Sequence, residues 1–212
     1  MNFYLFSDSK SESKPNPGAM YKSKWCEATV FDRVNGEPEK CPNCGRFVSL
    51  KKWESPRKIK LSNSNYPDRL SDWIPEPLVV SQKFVDLYRN SDLIGISQFI
   101  KIDTILVKNS KSNLCPPDYY IATIDFTTNV SIDVQKSIII GQKYGWSCQT
   151  CNPLGTTVDS VKRLVLNTDE WNGADVFRVY GIGVVTSQNF ADFIINNRLS
   201  NFNLVPVCEY GI

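Results

Sequence analysis

VVSQKFVDLYRNSDL, residues 79–93, and VTSQNFADFIINNRL, residues 185–199, decide how this chain is read. Laid over one another at an offset of 106 residues, Val79, Ser81, Gln82, Phe84, Asp86, Asn90 and Leu93 each meet their own residue type. Seven matches in fifteen positions stand against roughly one expected from ordinary residue frequencies. Both segments also carry the same local physics. A β-branched run, residues 77–80 in one and 182–185 in the other, predicts a strand. Ser81 and Ser187 follow, where a hydroxyl caps the free amides of a helix start. Phe84, Leu87 and Tyr88, and again Phe190, Phe193 and Ile194, form an apolar stripe at helical spacing. Asp86 and Asp192 are placed in or near the first turn, where negative charge suits the helix dipole. The helices should end near Asp92 and Arg198, with residues 96–102 and 202–207 returning as strands.

The likeness extends outward. Cys41-Pro-Asn-Cys44, moved by one residue more, meets Cys148-Gln-Thr-Cys151. An acidic-Trp pair precedes each segment, Asp72-Trp73 and Glu170-Trp171. The simplest account is an internal duplication with a repeat of about one hundred residues. Residues 1–107 then form the first repeat, 108–117 a polar linker and 118–212 the second repeat. A polar loop is expected over 7–18, and further strands over 3–6, 27–31, 119–126, 137–140, 161–166 and 176–180. The expected fold class is α+β, strand-rich and internally duplicated. Each repeat would hold a strand–helix–strand unit, and a shared four-cysteine zinc site would join the two.

Composition excludes several functions. The 212 residues are 42% hydrophobic and 22% charged, as in a folded globular protein. There is no histidine, so Ser-His-Asp and Cys-His catalysis and mixed Cys/His metal sites are impossible. Lys and Arg number 24 against 22 Asp and Glu, a net charge of +2. A field that weak predicts no strong attraction to nucleic acid or membrane. No run approaches the length of a membrane span, and residues 3–6 are too short an apolar stretch for a signal peptide. The expected compartment is the cytoplasm.

In such a reducing compartment the seven cysteines are not expected to form structural disulfides, and spacing must explain them. A Cys-x-x-Cys turn presents two thiolates to one tetrahedral ion, and two such turns close a four-thiolate site. The candidate ligands are Cys41, Cys44, Cys148 and Cys151, with Zn2+ in a structural role, because four thiolates leave no position for a catalytic water. Gly45 after the first turn and Asn152 after the second both tolerate a left-handed backbone. A single zinc ribbon separates its turns by about 15–20 residues. Here 103 residues lie between Cys44 and Cys148, so one ion would have to be shared between the repeats and would keep them docked. Free buried cysteines, two redox turns or a site that has lost its metal are the other readings. Cys26, Cys115 and Cys208 have no partner at ligand spacing and read as small apolar residues.

Other signals are weaker. Residues 46–60, RFVSLKKWESPRKIK, carry six positive charges and one negative, with Phe47 and Trp53 interleaved. That pattern beside a knuckle is an alternative site for single-stranded nucleic acid, against a plain solvated hairpin. Gly181-Ile-Gly183 lacks the third glycine of a dinucleotide loop and reads as a strand feature. Asp118, Asp125, Asp133, Asp169 and Glu170 show no spacing that singles out an acid/base pair. Trp73 and Trp171 are read as core residues, with interface anchors as the alternative. No catalytic constellation is legible, and the chain is read as a non-enzyme.

The motifs resemble those of the bacterial double-CxxCG motif family. The resemblance is carried by Cys41-Pro-Asn-Cys44-Gly45, Pro77-Leu78-Val79-Val80-Ser81, Trp171-Asn172-Gly173-Ala174-Asp175-Val176-Phe177 and Val184-Val185-Thr186-Ser187. The second knuckle departs from the pattern, with Asn152 in place of glycine. That family is similar to immunity proteins encoded beside polymorphic or contact-exchanged toxins. The resemblance implies a cytoplasmic protein whose partner is one cognate toxin, and it assigns no toxin-binding residue.

Overall fold

Ser81 and Ser187 stand at the mouths of two helices. The computed structural model describes residues 2–6, 26, 28–47, 52–70, 78–108, 115–124, 130–140, 143–144, 147–149, 156–157, 160–179 and 183–209. Its first strands are β1 (Phe3–Phe6), β2 (Ala28–Val30), β3 (Val34–Asn35), β4 (Trp53–Glu54), β5 (Lys58–Leu61), β6 (Arg69–Leu70) and β7 (Val79–Ser81). Helix α1 (Gln82–Arg89) follows, then β8 (Ile96–Lys101), β9 (Thr104–Val107), β10 (Tyr119–Ile124), β11 (Ser131–Ile132) and β12 (Ile138–Ile140). The last part holds β13 (Lys143–Tyr144), β14 (Thr156–Thr157), β15 (Ser160–Arg163), β16 (Leu166–Asn167), β17 (Val176–Val179) and β18 (Gly183–Ser187). Helix α2 (Gln188–Asn196) and β19 (Leu204–Pro206) complete it. The expected loop over 7–18, Trp73 and most of the 108–117 linker lie outside the described residues.

The two helix starts are built alike. Each serine is extended, and its Oγ accepts a hydrogen bond from the amide three residues on, Phe84 N–H or Phe190 N–H, at 3.3 Å. The helices stop at Arg89 and Asn196, short of the expected ends. Side-chain amides turn back at these ends: Asn90 Nδ2 donates to Asp86 O and Asn197 Nδ2 to Phe193 O. Asp86 and Asp192 fall beyond the first turn, because each helix starts directly after its serine. Their carboxylates accept instead from Gln82 Nε2 at 2.7 Å and Gln188 Nε2 at 2.8 Å. Each glutamine Oε1 in turn accepts from a tyrosine hydroxyl, Tyr120 for Gln82 and Tyr4 for Gln188.

Two four-stranded sheets carry the helices, in the orders β6-β7-β10-β8 and β17-β18-β1-β19. Smaller ladders, β2-β5-β9 and several pairs, surround them. This corrects the expected fold class. Among the described residues the chain is strand-rich, with nineteen strands against two short helices, rather than an α+β assembly of duplicated strand–helix–strand units. The strand before each helix never pairs with the strand after it. β10 runs antiparallel between β7 and β8, and β1 runs antiparallel between β18 and β19. One sheet is therefore completed by a strand from just beyond the expected linker, the other by a strand from the opposite end of the chain. The shared four-cysteine zinc site is likewise not seen among the described residues, since Cys151 lies outside them.

The largest core lies where α1 and α2 meet. Phe84 stacks on Phe202 at 5.4 Å and meets Phe193 edge-on at 5.8 Å, and Phe190 packs at 6.2 Å from it. Residues from both sheets share this cluster, among them Val80, Ile124, Val184 and Leu204. Burying each such ring contributes about 1.5–3 kcal/mol. Tyr88 lies in the same cluster, and its hydroxyl accepts from Ile96 N–H. Burial pushes its phenol up to about 12. A second core, with Leu5, Leu164, Phe177 and Val185, lies on the other face of β1, β17 and β18. A third, with Trp53, Ile59, Leu61 and Tyr119, lies beneath β2, β5 and β9.

Two buried carboxylates link the helix starts to one another's exits. Asp175 Oδ1 accepts from the hydroxyl of Ser187, the α2 cap, at 2.6 Å, while its Oδ2 accepts from Ile94 N–H beyond α1 at 3.1 Å. Asp68 Oδ1 accepts from the hydroxyl of Ser81, the α1 cap, at 2.9 Å, while its Oδ2 accepts from Ser200 N–H and Oγ–H beyond α2. Backbone bonds run beside both: Asp175 N–H to Ile94 O, Ser187 N–H to Asp175 O, and Ser81 N–H to Asp68 O. Replacing Asp175 by Ala strands a buried hydroxyl and an amide and should destabilise the chain by about 2–4 kcal/mol. Asp192→Ala, at an exposed helix carboxylate, should cost less than about 1 kcal/mol. Urea denaturation of the two variants beside the parent checks both values.

Candidate metal centre

The first knuckle is held out on a hairpin. β3 pairs with β4, Gly36 N–H donates to Lys52 O at 2.9 Å, and Lys52 meets Glu39 at 3.0 Å. Trp53, only 3% exposed, pins the hairpin into the third core. Beyond it Lys40 bridges Phe47 across the turn. Inside the turn Cys41 N–H donates to Arg46 O at 2.8 Å and Gly45 N–H to Cys41 O at 2.9 Å. Gly45 has φ +72°, the left-handed geometry expected from the Cys-x-x-Cys-Gly spacing.

The knuckle meets a cysteine from far along the chain. Cys41, Cys44 and Cys148 place their sulfurs within 4.8 Å of one another, and Cys41 Sγ lies 3.9 Å from Cys148 Sγ. A tetrahedral zinc with bonds of about 2.3 Å separates its sulfurs by about 3.8 Å, so the donor set and spacing fit such an ion. Cys41 and Cys148 are buried, whereas Cys44 is exposed. Among the described residues no other group of three Cys, Asp or Glu converges this way. Three of the four expected ligands are thus together, and the fourth, Cys151, lies outside the described residues. One contact had no signal in the sequence beyond lying inside the knuckle: Asn43 Nδ2 donates toward Cys148 Sγ at 3.9 Å.

The remaining candidates are dispersed. Cys26 is buried in the third core with its thiol toward Asn63 O, and Cys115 and Cys208 are exposed. Asp118 pairs with Lys101 at 2.6 Å and Asp133 with Lys136 at 2.9 Å. Asp169 and Glu170 are exposed in a turn, and Asp125 lies outside the described residues. Trp171 is half-buried, packs edge-on against Phe3 at 5.3 Å and donates its indole N–H to Ala174 O. Gly183 opens β18 with φ +112°, while Gly181 and Ile182 lie outside the described residues. No helix among the described residues is long and apolar enough to cross a membrane.

In the basic segment 46–60, of which 48–51 lie outside the described residues, Phe47 is exposed and Trp53 is taken up by the fold. Trp53 is in a core, Lys58 pairs with Asp32 at 3.3 Å, and Arg57 Nε donates to Trp53 O beside Asp103. Lys52 is paired with Glu39.

The profile of the immunity protein family Imm11 matches residues 9–209, nearly the whole chain. The chain belongs to the Imm11 immunity protein family. No curated protein matches it. Membership supports the immunity character that the resemblance implied and, in general, a toxin partner. Titrating the chain with a short fluorescent single-stranded oligonucleotide at low salt should give a flat anisotropy trace. A salt-dependent rise would restore the nucleic-acid reading.

Proposed function

We propose that the chain is a cytoplasmic immunity protein that binds one cognate toxin and neutralises it by covering a surface the toxin needs, with no catalysis of its own. The observation that carries this reading is the family match across residues 9–209. The charge narrows the manner of inhibition. A protein that blocks a nuclease by imitating nucleic acid needs a strong negative field, and this chain is at +2. Inhibition here works by shape against a preformed face, for which a rigid scaffold lowers the ordering cost of binding. Co-expression with the toxin-like product of the adjacent reading frame should give a one-to-one complex and protect the cell. Failure of both would sink the reading.

We propose further that Cys41, Cys44 and Cys148, with Cys151 as fourth ligand, hold one structural Zn2+ in the double-CxxCG manner. The three clustered sulfurs and the left-handed Gly45 support this. When bound, the ion supplies cross-linking alone, since four thiolates leave no open position. Purified protein should carry about one zinc per chain, read by elemental analysis. Cys44→Ser and Cys151→Ser should each lower that content severalfold. Full retention in Cys151→Ser would remove Cys151 from the ligand set.

A further inference from the structure

The cysteine cluster has an uneven relation to solvent. Cys44 is exposed, whereas Cys41 and Cys148 are 2% and 8% exposed. A reagent arriving from water meets Cys44 first, and two further sulfurs wait within 4.8 Å. We infer that Cys44 is an oxidation site for hydroperoxides, and that its oxidised sulfur is captured by Cys148 to give a disulfide between the knuckle and the distant segment. The inference rests on the zinc reading only for the ion that oxidation displaces.

The chemistry needs one peroxide. Cys44 Sγ attacks a peroxide oxygen: an S–O bond forms, the O–O bond breaks, and the departing oxygen takes up the thiol proton to leave as water or an alcohol. Cys148 Sγ then attacks the sulfenic sulfur: the S–S bond forms, the S–O bond breaks, and hydroxide leaves with the second thiol proton as water. The two sulfurs are oxidised by two electrons together and the peroxide is reduced by two. Where a metal ion held the thiolates, both protons come from solvent and the ion is released.

Geometry selects Cys148 over Cys41 as the capturing thiol. Cys41 and Cys44 belong to one turn, fixed by Cys41 N–H to Arg46 O and Gly45 N–H to Cys41 O. A disulfide between them would close a ring inside that turn and is the competing outcome the experiment reads. Cys148 comes from a separate segment and is met by the Asn43 side chain within the knuckle. Its sulfur lies within 4.8 Å of Cys44 and comes from outside the turn.

Brief hydrogen peroxide treatment of the full chain, followed by trypsin and non-reducing mass spectrometry, tests this. The knuckle cysteines lie in peptide 41–46, and Cys148 in peptide 144–162. The experiment is run on the parent and on Cys151→Ser, which leaves Cys148 as the sole thiol of the second peptide. The expected result is a cross-link between the two peptides in both proteins, reduced at least tenfold in Cys44→Ser. A disulfide confined to peptide 41–46, a sulfinic acid on Cys44 without any cross-link, or an undiminished cross-link in Cys44→Ser would each overturn the inference. Metal content measured beforehand separates the two readings. Zinc-free protein that cross-links removes the zinc and keeps the oxidation site; zinc-loaded protein that does not cross-link does the reverse.

Discussion

The carboxylates of Asp68 and Asp175 are the constraint on which the rest of the fold depends. A buried carboxylate is tolerated only when its lone pairs are filled, because burial without partners costs several kcal/mol. Each of these fills them from two places at once: the serine that caps one helix and the segment leaving the other. The start of α1 is thereby tied to the exit of α2, and the start of α2 to the exit of α1. Neither helix can be capped in its native way unless the other is in position. The aromatic seam of Phe84, Phe190, Phe193 and Phe202 fills the space these ties define. Hydrophobic burial supplies most of the free energy, and the carboxylates supply the register.

Much of the local structure was legible in the sequence, and the reason is physical. A serine before an apolar stripe at helical spacing satisfies amides that have no other partner, so it marks a helix start wherever it occurs. Short apolar, aromatic or β-branched runs marked β1, β2, β10 and β17 within a residue or two. What alternation does not encode is the neighbour. It tells which face of a strand is buried and is silent on which strand lies beside it. β1 and β10 read as ordinary strands of their own expected halves, yet each completes the sheet around the helix of the other. The parallel pairing of β5 with β9 was hidden for the same reason. Asp68 gave no signal, since a lone Asp ahead of a short strand has the look of a turn residue. Asp175 entered only as part of a motif.

The cysteine cluster was legible because thiolate chemistry is spacing-driven. Two cysteines three positions apart with glycine next to the second define a turn before anything is known of the fold. The meeting of Cys148 with that turn followed from the second motif, and the 3.9 Å approach of Cys41 and Cys148 realises it. Asn43 was missed because a polar residue inside a knuckle is commonplace, and only the arrival of Cys148 gives it a partner. In the basic stretch 46–60, held as the alternative to a plain hairpin, one of the two interleaved aromatics is taken up by the fold while Phe47 is exposed. Trp53 serves as the anchor of the hairpin, which removes it as a base-stacking surface and leaves its neighbours to pair with Asp32, Asp103 and Glu39.

These two devices divide the work of holding the chain together, and the division revises the role expected of a metal. A zinc shared across the duplication was expected to keep the halves docked. The largest core already contains Phe84 and Val80 beside Phe190 and Val184, and the carboxylate ties cross between the same parts of the chain. Docking is thus secured by burial and buried hydrogen bonds that involve no sulfur. The cysteines meet at something smaller: a hairpin anchored at one end by Trp53, whose knuckle approaches Cys148 at the other. An ion or a disulfide there fixes the tip of that hairpin, with Phe47 exposed beside it, relative to the second half. On the proposed chemistry, a change at the sulfurs acts first on that exposed edge. An edge whose shape can change while the core stays intact is compatible with a protein that inhibits by fit.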